Sequence, residues 1–203
     1  MKIFKKFQFL MVFGLALAVF AAPCAAQNNA AWGQTGRPLI VDFLDVGQGD
    51  AILIRSPEGK VALIDAGPSK DAAAEHLRKR GLTAVDIVIL SHHHTDHFGG
   101  MGQVIREFKP RYFMASGSSH TTKSYLRLLE TVKEEGVTMV EPTEKLRKIE
   151  LGSVLLTILP QPPENTKEEN DNSIAVRLQY GEFSVLMTGD SEEGSRTWWR
   201  SKA

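Results

Sequence analysis

Four side chains able to bind metal crowd into one short stretch, where His92, His94, Asp96 and His97 stand in a His-x-His-x-Asp-His spacing. A tight loop at the end of a strand can then fix four donors with little help from distant parts of the chain. Imidazole and carboxylate suit zinc, and also manganese or iron. Taken in pairs, the four ligands serve two ions. His93 falls in the variable position, where a packing or solvent-facing role is expected. The competing reading is a solvated histidine-rich turn, but a buried strand running into this cluster and on to Gly99-Gly100 matches that poorly.

A two-metal site needs an acid able to bridge its ions. Asp190 follows the apolar run Ser184–Thr188 through Gly189, at the lip of a sheet, so Asp96 and Asp190 are the carboxylates expected at the reacting centre. A turn or helix-capping role is the alternative for Asp190. Asp65 also ends a strand, before Ala66-Gly67, and is placed to accept a hydrogen bond from the non-ligating nitrogen of a histidine ligand. For Asp65 alone a structural turn is nearly as good a reading. Cys24 is the only cysteine, so thiolate ligation is not expected.

The elements that must position these residues follow from hydrophobic periodicity. Leu39–Leu44, Ala51–Arg55 and Val61–Asp65 read as three opening strands separated by Gly47-Gln48-Gly49 and Pro57-Glu58-Gly59. Ala72–Arg80 reads as a helix closed by Gly81, and Val85–Leu90 as a buried strand. Met101, Val104, Ile105 and Phe108 have helical spacing and stop at Pro110, and Tyr112–Ala115 is a further strand. Tyr125, Leu128, Leu129 and Val132 repeat the helical spacing, with Ser124 or Thr122 as cap and Gly136 as stop. Val137–Glu141, Leu155–Leu159, Ile174–Tyr180 and Ser184–Thr188 complete the strands. The proline-containing, charged stretch Pro160–Asn172 reads as an exposed loop able to face substrate. The order predicts a layered α/β protein with mixed sheets.

At the start, Lys2, Lys5 and Lys6 precede an apolar run from Phe9 to Ala22, the layout of a secretory signal peptide with cleavage expected after Ala26. The run is shorter than the roughly 20 residues a membrane helix needs, so no stable span is expected after cleavage. Lipidation at Cys24 is the alternative, disfavoured by Pro23. Residues 27–37 read as a flexible leader and 38–203 as one domain. Without residues 1–26 the chain carries 21 basic and 24 acidic residues, a balance that does not advertise a polyanion-binding surface. An exported, periplasmic or extracellular protein is the expectation; oligomeric state is open.

Ser91-His92-His93-His94-Thr95-Asp96-His97-Phe98-Gly99-Gly100 resembles the signature loop of metallo-β-lactamase-fold hydrolases. More narrowly, Phe43–Ala51, Leu63–Gly67, Asn170–Ser173 and Thr188–Asp190 resemble the ComEC-like branch, the hydrolase domain of DNA-uptake competence proteins and its free-standing relatives. The resemblance implies an αββα sandwich. It makes His92 and His94 ligands of one metal, Asp96 and His97 ligands of a second, Asp190 the bridge and Asp65 the acid supporting the loop. His120 matches a recurring segment of the branch and is a possible substrate contact; a turn before a helix is the competing role.

Two departures stand out. No histidine follows His97 where the first metal's further ligand is expected, so Asn172 or Asp171 is the substitute considered, or water. A later histidine of the family lies beyond Ala203, which reads as a chain truncated at its C-terminus with the fold's second half incomplete. Trp198 and Trp199 would then leave an exposed apolar edge.

Two zinc ions in such a site lower the pKa of bound water towards about 7 and present hydroxide to an electrophilic centre. A phosphodiester or phosphate-ester hydrolase, with a small-molecule or nucleic-acid substrate, is the first reading. Lys123, Arg127, Lys145, Arg147 and Lys148 are possible phosphate contacts, although charge runs are more often solvated faces. An acyl or lactam hydrolase and an inactive metal-binding domain are the alternatives.

Overall fold

Short runs of Val, Ile and Leu form the strands because branched side chains fit a pleated, half-buried surface. The computed structural model describes residues 36–143, 145–165 and 167–201; the expected signal peptide and all but the last residues of the leader lie outside them. A six-stranded sheet runs in the order of the chain: β1 (Ile40–Phe43), β2 (Ile52–Arg55), β3 (Val61–Ile64), β4 (Ile87–Leu90), β5 (Tyr112–Ala115) and β6 (Thr138–Val140). The first two pairings are antiparallel and the next three parallel, so this sheet is mixed. A second sheet is antiparallel throughout, in the order β10 (Phe183–Met187), β9 (Val176–Tyr180), β8 (Val154–Ile158), β7 (Arg147–Leu151).

Alternation along the central strands sends neighbouring residues into two different cores. Leu53, Leu63, Val88 and Phe113 face helices α1 (Ala72–Lys79), α3 (Met101–Phe108) and α4 (Lys123–Glu134), packing with Leu77, Ile105 and Val132. Ile54, Ile64, Ile89 and Met114 face the second sheet, against Leu156, Ile158 and Leu178. β3 and β4 are buried on both faces, as parallel strands covered from both sides must be. Helix α2 (Thr95–Phe98) is a single turn between β4 and α3, and α5 (Glu193–Arg200) follows β10.

The helices begin and end as their sequences direct. Thr122 caps α4, its Oγ1 accepting from the Tyr125 N–H, and Gly136 takes a left-handed turn after the helix. Helix α3 stops at Phe108, with Lys109 left-handed before Pro110.

Several expectations need correction. Arg147–Leu151, where no element was expected, forms β7, so Arg147 and Lys148 lie on an edge strand of the second sheet. The pattern Lys148-Ile149-Glu150-Leu151 alternates polar and apolar residues, the mark of a half-buried strand. The expected layered α/β architecture with mixed sheets is observed, the described residues stacking helices on a mixed sheet and that sheet on a second one. The outer face of the second sheet carries Lys148, Glu150, Thr157 and Arg177, and Leu186 there is 53% exposed. The tryptophans do not form an open edge: both are half-buried, and Trp199 Nε1 donates to the Pro160 carbonyl at 3.0 Å. Among the described residues no helix is long and apolar enough to cross a membrane.

The two-core arrangement predicts unequal costs. Ile89→Ala, between the sheets, should destabilise by about 2–5 kcal/mol, whereas Leu186→Ser on the outer face should stay within about 0.5 kcal/mol. Urea unfolding of the two variants checks this, and comparable losses would overturn the layer assignment.

Candidate metal centre

The parallel strands β3, β4 and β5 all end at the same edge of the sheet, and the potential ligands collect there. Asp65 follows β3 in a left-handed conformation, φ 59°, that non-glycine residues seldom adopt. This turns its carboxylate back under the loop that leaves β4. Asp65 Oδ1 accepts from the Ser91 N–H at 2.7 Å, and Oδ2 accepts from Ser91 Oγ at 2.7 Å and from His97 Nδ1 at 2.8 Å.

These bonds set the histidine tautomers. Because the Ser91 hydroxyl gives its proton to Asp65, its oxygen accepts from His92 Nδ1, 3.0 Å away. His92 and His97 are thus both held through Nδ1, leaving Nε2 free for other work. His92 Nε2 lies 2.9 Å from His94 Nδ1. His97 Nε2 is buried, has no hydrogen-bond partner, and lies 3.5 Å from Asp190 Oδ1. One donor atom each from His92, His97 and Asp190 falls within 4.8 Å of the others. His92 and His97 are buried, while the side chain of Asp190 is 44% exposed and His94 is exposed, so the cluster opens to solvent on one side.

Two glycines permit this closeness. A Cβ at Gly49, whose φ is +88°, would overlap the Asp96 backbone, and one at Gly189, φ +51°, would come within 2.8 Å of Ser91 Oγ. The turn before β2 and the end of β10 therefore press directly on the histidine loop.

Charge follows the same geometry. Burial lowers the His92 pKa to about 3, helped by the neighbouring histidines, so its ring is neutral as a ligand must be. Burial also pulls His97 down, but the hydrogen bond and charge of Asp65 outweigh it and raise the ring to about 9. The Asp65 carboxyl is pushed up by burial against the pull of His97 and Ser91.

Other expected site residues are placed differently. Asp96, half-buried on α2, stands apart from the cluster and accepts from Gln48 Nε2 at 3.4 Å. Asp171 and Asn172 lie in a 3-10 turn, Glu169–Asn172, and both side chains are taken up elsewhere. Asp171 Oδ1 accepts from the Glu192 and Ser195 N–H groups at the start of α5. Asn172 exchanges bonds with Asn165 and donates to Glu169. The expected substitution of either for a missing ligand does not match this bonding. His120 is half-buried, its ring 5.4 Å from Tyr125 and 5.2 Å from His93.

The comparisons with known proteins agree with this architecture. The family described as the metallo-beta-lactamase superfamily matches residues 44–202. The chain belongs to that superfamily. Curated relatives include ComE operon protein 3 of Bacillus subtilis, 23% identical over 75% of this chain and 22% of its own length. Recombination protein 2 of Haemophilus influenzae is 31% identical over 75% of this chain and 18% of its own length. The chain thus spans about a fifth of these relatives, which accord with a ComEC-like branch. Among solved structures, the metallo-beta-lactamase fold protein YhfI of B. subtilis superposes with a TM-score of 0.54 at 16% identity, covering 75% of this chain and 63% of YhfI. The diiron beta-hydroxylase CmlA of Streptomyces venezuelae gives 0.50 at 20% identity, covering 76% of this chain and 30% of CmlA.

Metal ions are implied by the superfamily, and the residues present fit them: converging imidazole nitrogens, a buried Nε2 without a partner and a facing carboxylate.

Three neighbours of the site escaped sequence reasoning. Asp50 places an oxygen within 4.8 Å of donor atoms of Asp65 and His97; its signal was its place in the Phe43–Ala51 segment, after the Gly47-Gln48-Gly49 turn. His93 is buried, with Nδ1 near Ser118 Oγ at 3.1 Å and Glu169 Oε1 at 3.2 Å. Glu169 also accepts from the His93 N–H and from Asn172 Nδ2, tying the late loop to the histidine loop.

Asp65→Ala should lower metal affinity by about 10–100-fold, since it releases both His97 and the serine that orients His92. Competition with a chromophoric chelator measures this, and unchanged affinity would contradict the role given to Asp65.

Proposed function

We propose that this chain is an exported two-metal hydrolase that cleaves phosphodiester or phosphate-ester bonds, with nucleic acid or a small phosphate ester as substrate. The observation that carries the reading is the convergence of His92, His94, His97 and Asp190 at a lip open to solvent, with the His97 Nε2 atom buried and unpartnered. Kinship with ComE operon protein 3 and Recombination protein 2 supports the substrate class, through the ComEC-like branch and its link to DNA uptake. Lys2, Lys5, Lys6 and the apolar run that follows support export.

In this reading His92 and His94 would hold one ion, His97 and Asp96 the other, and Asp190 would be the acid shared by the two. Zinc suits the nitrogen and oxygen donors, with manganese or iron as alternatives. Such ions, when bound, acidify water and offset charge on the attacked group. The chain's own work is orientation. Ser91 and Asp65 keep His92 and His97 in the tautomers that offer Nε2. Asp96, on α2 next to His97, would have to exchange its bond from Gln48 for the metal. His120, its ring set edge-on against Tyr125, stands on the loop after β5 as the group that meets substrate or its leaving group.

The test is hydrolysis of bis-p-nitrophenyl phosphate, single-stranded DNA and a chromogenic cephalosporin by the metal-loaded protein. Phosphodiester cleavage is expected, lost by more than about 100-fold in His94→Ala. Cleavage of the cephalosporin alone, or activity that survives this substitution, would sink the proposal.

A further inference from the structure

A groove of about 620 Å³ runs between α3 and α4, lined by Lys70, Arg106 and Arg127 together with the hydroxyls of Thr95, Ser124 and Thr131. No carboxylate lines it. All three cations are exposed, and among the described residues none forms an ion pair. The acid nearest in sequence on α3, Glu107, is engaged by Arg78 and Gln103. Uncompensated positive charge in a concave surface is uncommon in a chain with equal numbers of acidic and basic residues.

The groove is also ordered. The Arg106 guanidinium donates to Thr131 Oγ1 at 2.8 Å and to the Gly102 carbonyl at 3.4 Å, which holds it between α3 and α4. Thr131 Oγ1 in turn donates to the Arg127 carbonyl at 3.0 Å, so Arg106 sits against the turn of α4 that bears Arg127. From Ser124 to Thr131 the helix rises about 10 Å, room for successive anionic groups rather than one ion. At its other end the groove reaches Thr95, the residue before Asp96 in the histidine loop.

From these observations we infer that the groove holds the phosphates of a nucleic-acid strand and leads it to the metal centre, an inference that rests on the phosphodiesterase reading. Arginine forks and hydroxyls match phosphate oxygens, and spaced cations match a chain of them. The one aromatic lining residue, Phe98, is buried, so bases do not stack there and recognition is indifferent to sequence.

The test is fluorescence anisotropy of a labelled oligothymidylate with the metal-loaded protein over a range of salt, with bis-p-nitrophenyl phosphate hydrolysis followed in parallel. Arg106→Gln combined with Arg127→Gln should weaken binding roughly tenfold at low salt and reduce the slope of log affinity against log salt by about 1.4. Arg127→Gln alone, at an exposed position, should give about half that reduction while the melting temperature is unchanged. Lys148→Gln, on the second sheet, should bind as the parent does. A labelled duplex binding more tightly than the single strand would still place phosphates in the groove, provided the arginine variants weaken it equally.

Wild-type binding by the double variant, an equal loss in Lys148→Gln, or displacement of the oligonucleotide by polyglutamate would overturn the inference. Altered binding without any phosphodiester hydrolysis would instead overturn the activity and leave the groove assigned. Hydrolysis with unaltered binding would do the reverse.

Discussion

A single buried carboxylate organises the functional edge of this fold. An ionised group shielded from water is costly unless hydrogen bonds compensate it, and Asp65 receives three, all from the loop it supports. Those bonds form only because Asp65 leaves β3 with a left-handed backbone and because β4 lies parallel beside β3, bringing Ser91 alongside. Both imidazoles that point Nε2 outward depend on it, His97 directly and His92 through the serine hydroxyl. The two cores act as the foundation, since β3 and β4 are buried on both faces and cannot shift without disturbing each.

Much of this was legible in the amino-acid order. Strands β2 to β4 announce themselves as runs of Val, Ile and Leu, β5 as the apolar run Tyr112–Ala115 after Pro110, and α3 and α4 by apolar spacing and their stops. The histidine spacing marked out a candidate metal centre, and the position of Asp65 at a strand end suggested the hydrogen bond it accepts from His97. β7 was hidden because arginine, lysine and glutamate dominate a strand whose inward face, Arg147, Ile149 and Leu151, has only two apolar residues. Helix α2 was hidden because one turn is too short to show a period.

Long-range bonding was the least readable level. Asp171 and Asn172 have the chemistry of ligands, but backbone N–H groups of α5 claim the first and the Asn165 peptide the second. Nothing local distinguishes an aspartate that meets a metal from one that caps a helix some twenty residues later. His93 was set aside by the register of the motif, which describes donors to metal and is silent about what fills the space behind them. Glu169 lay in a charged run that reads as solvent-facing, and its partners come from three separate segments.

Glu169 joins the late loop to the backbone of His93, between two of the histidines that face the ligand cluster. The loop and the cluster therefore share one carboxylate as a mechanical coupling. Whatever free energy a visitor to the loop spends in moving that carboxylate is charged to the histidines as well, and the linkage runs equally in the other direction. A change at Glu169 therefore releases contacts in two places at once, at Asn172 in the late loop and at the backbone of His93.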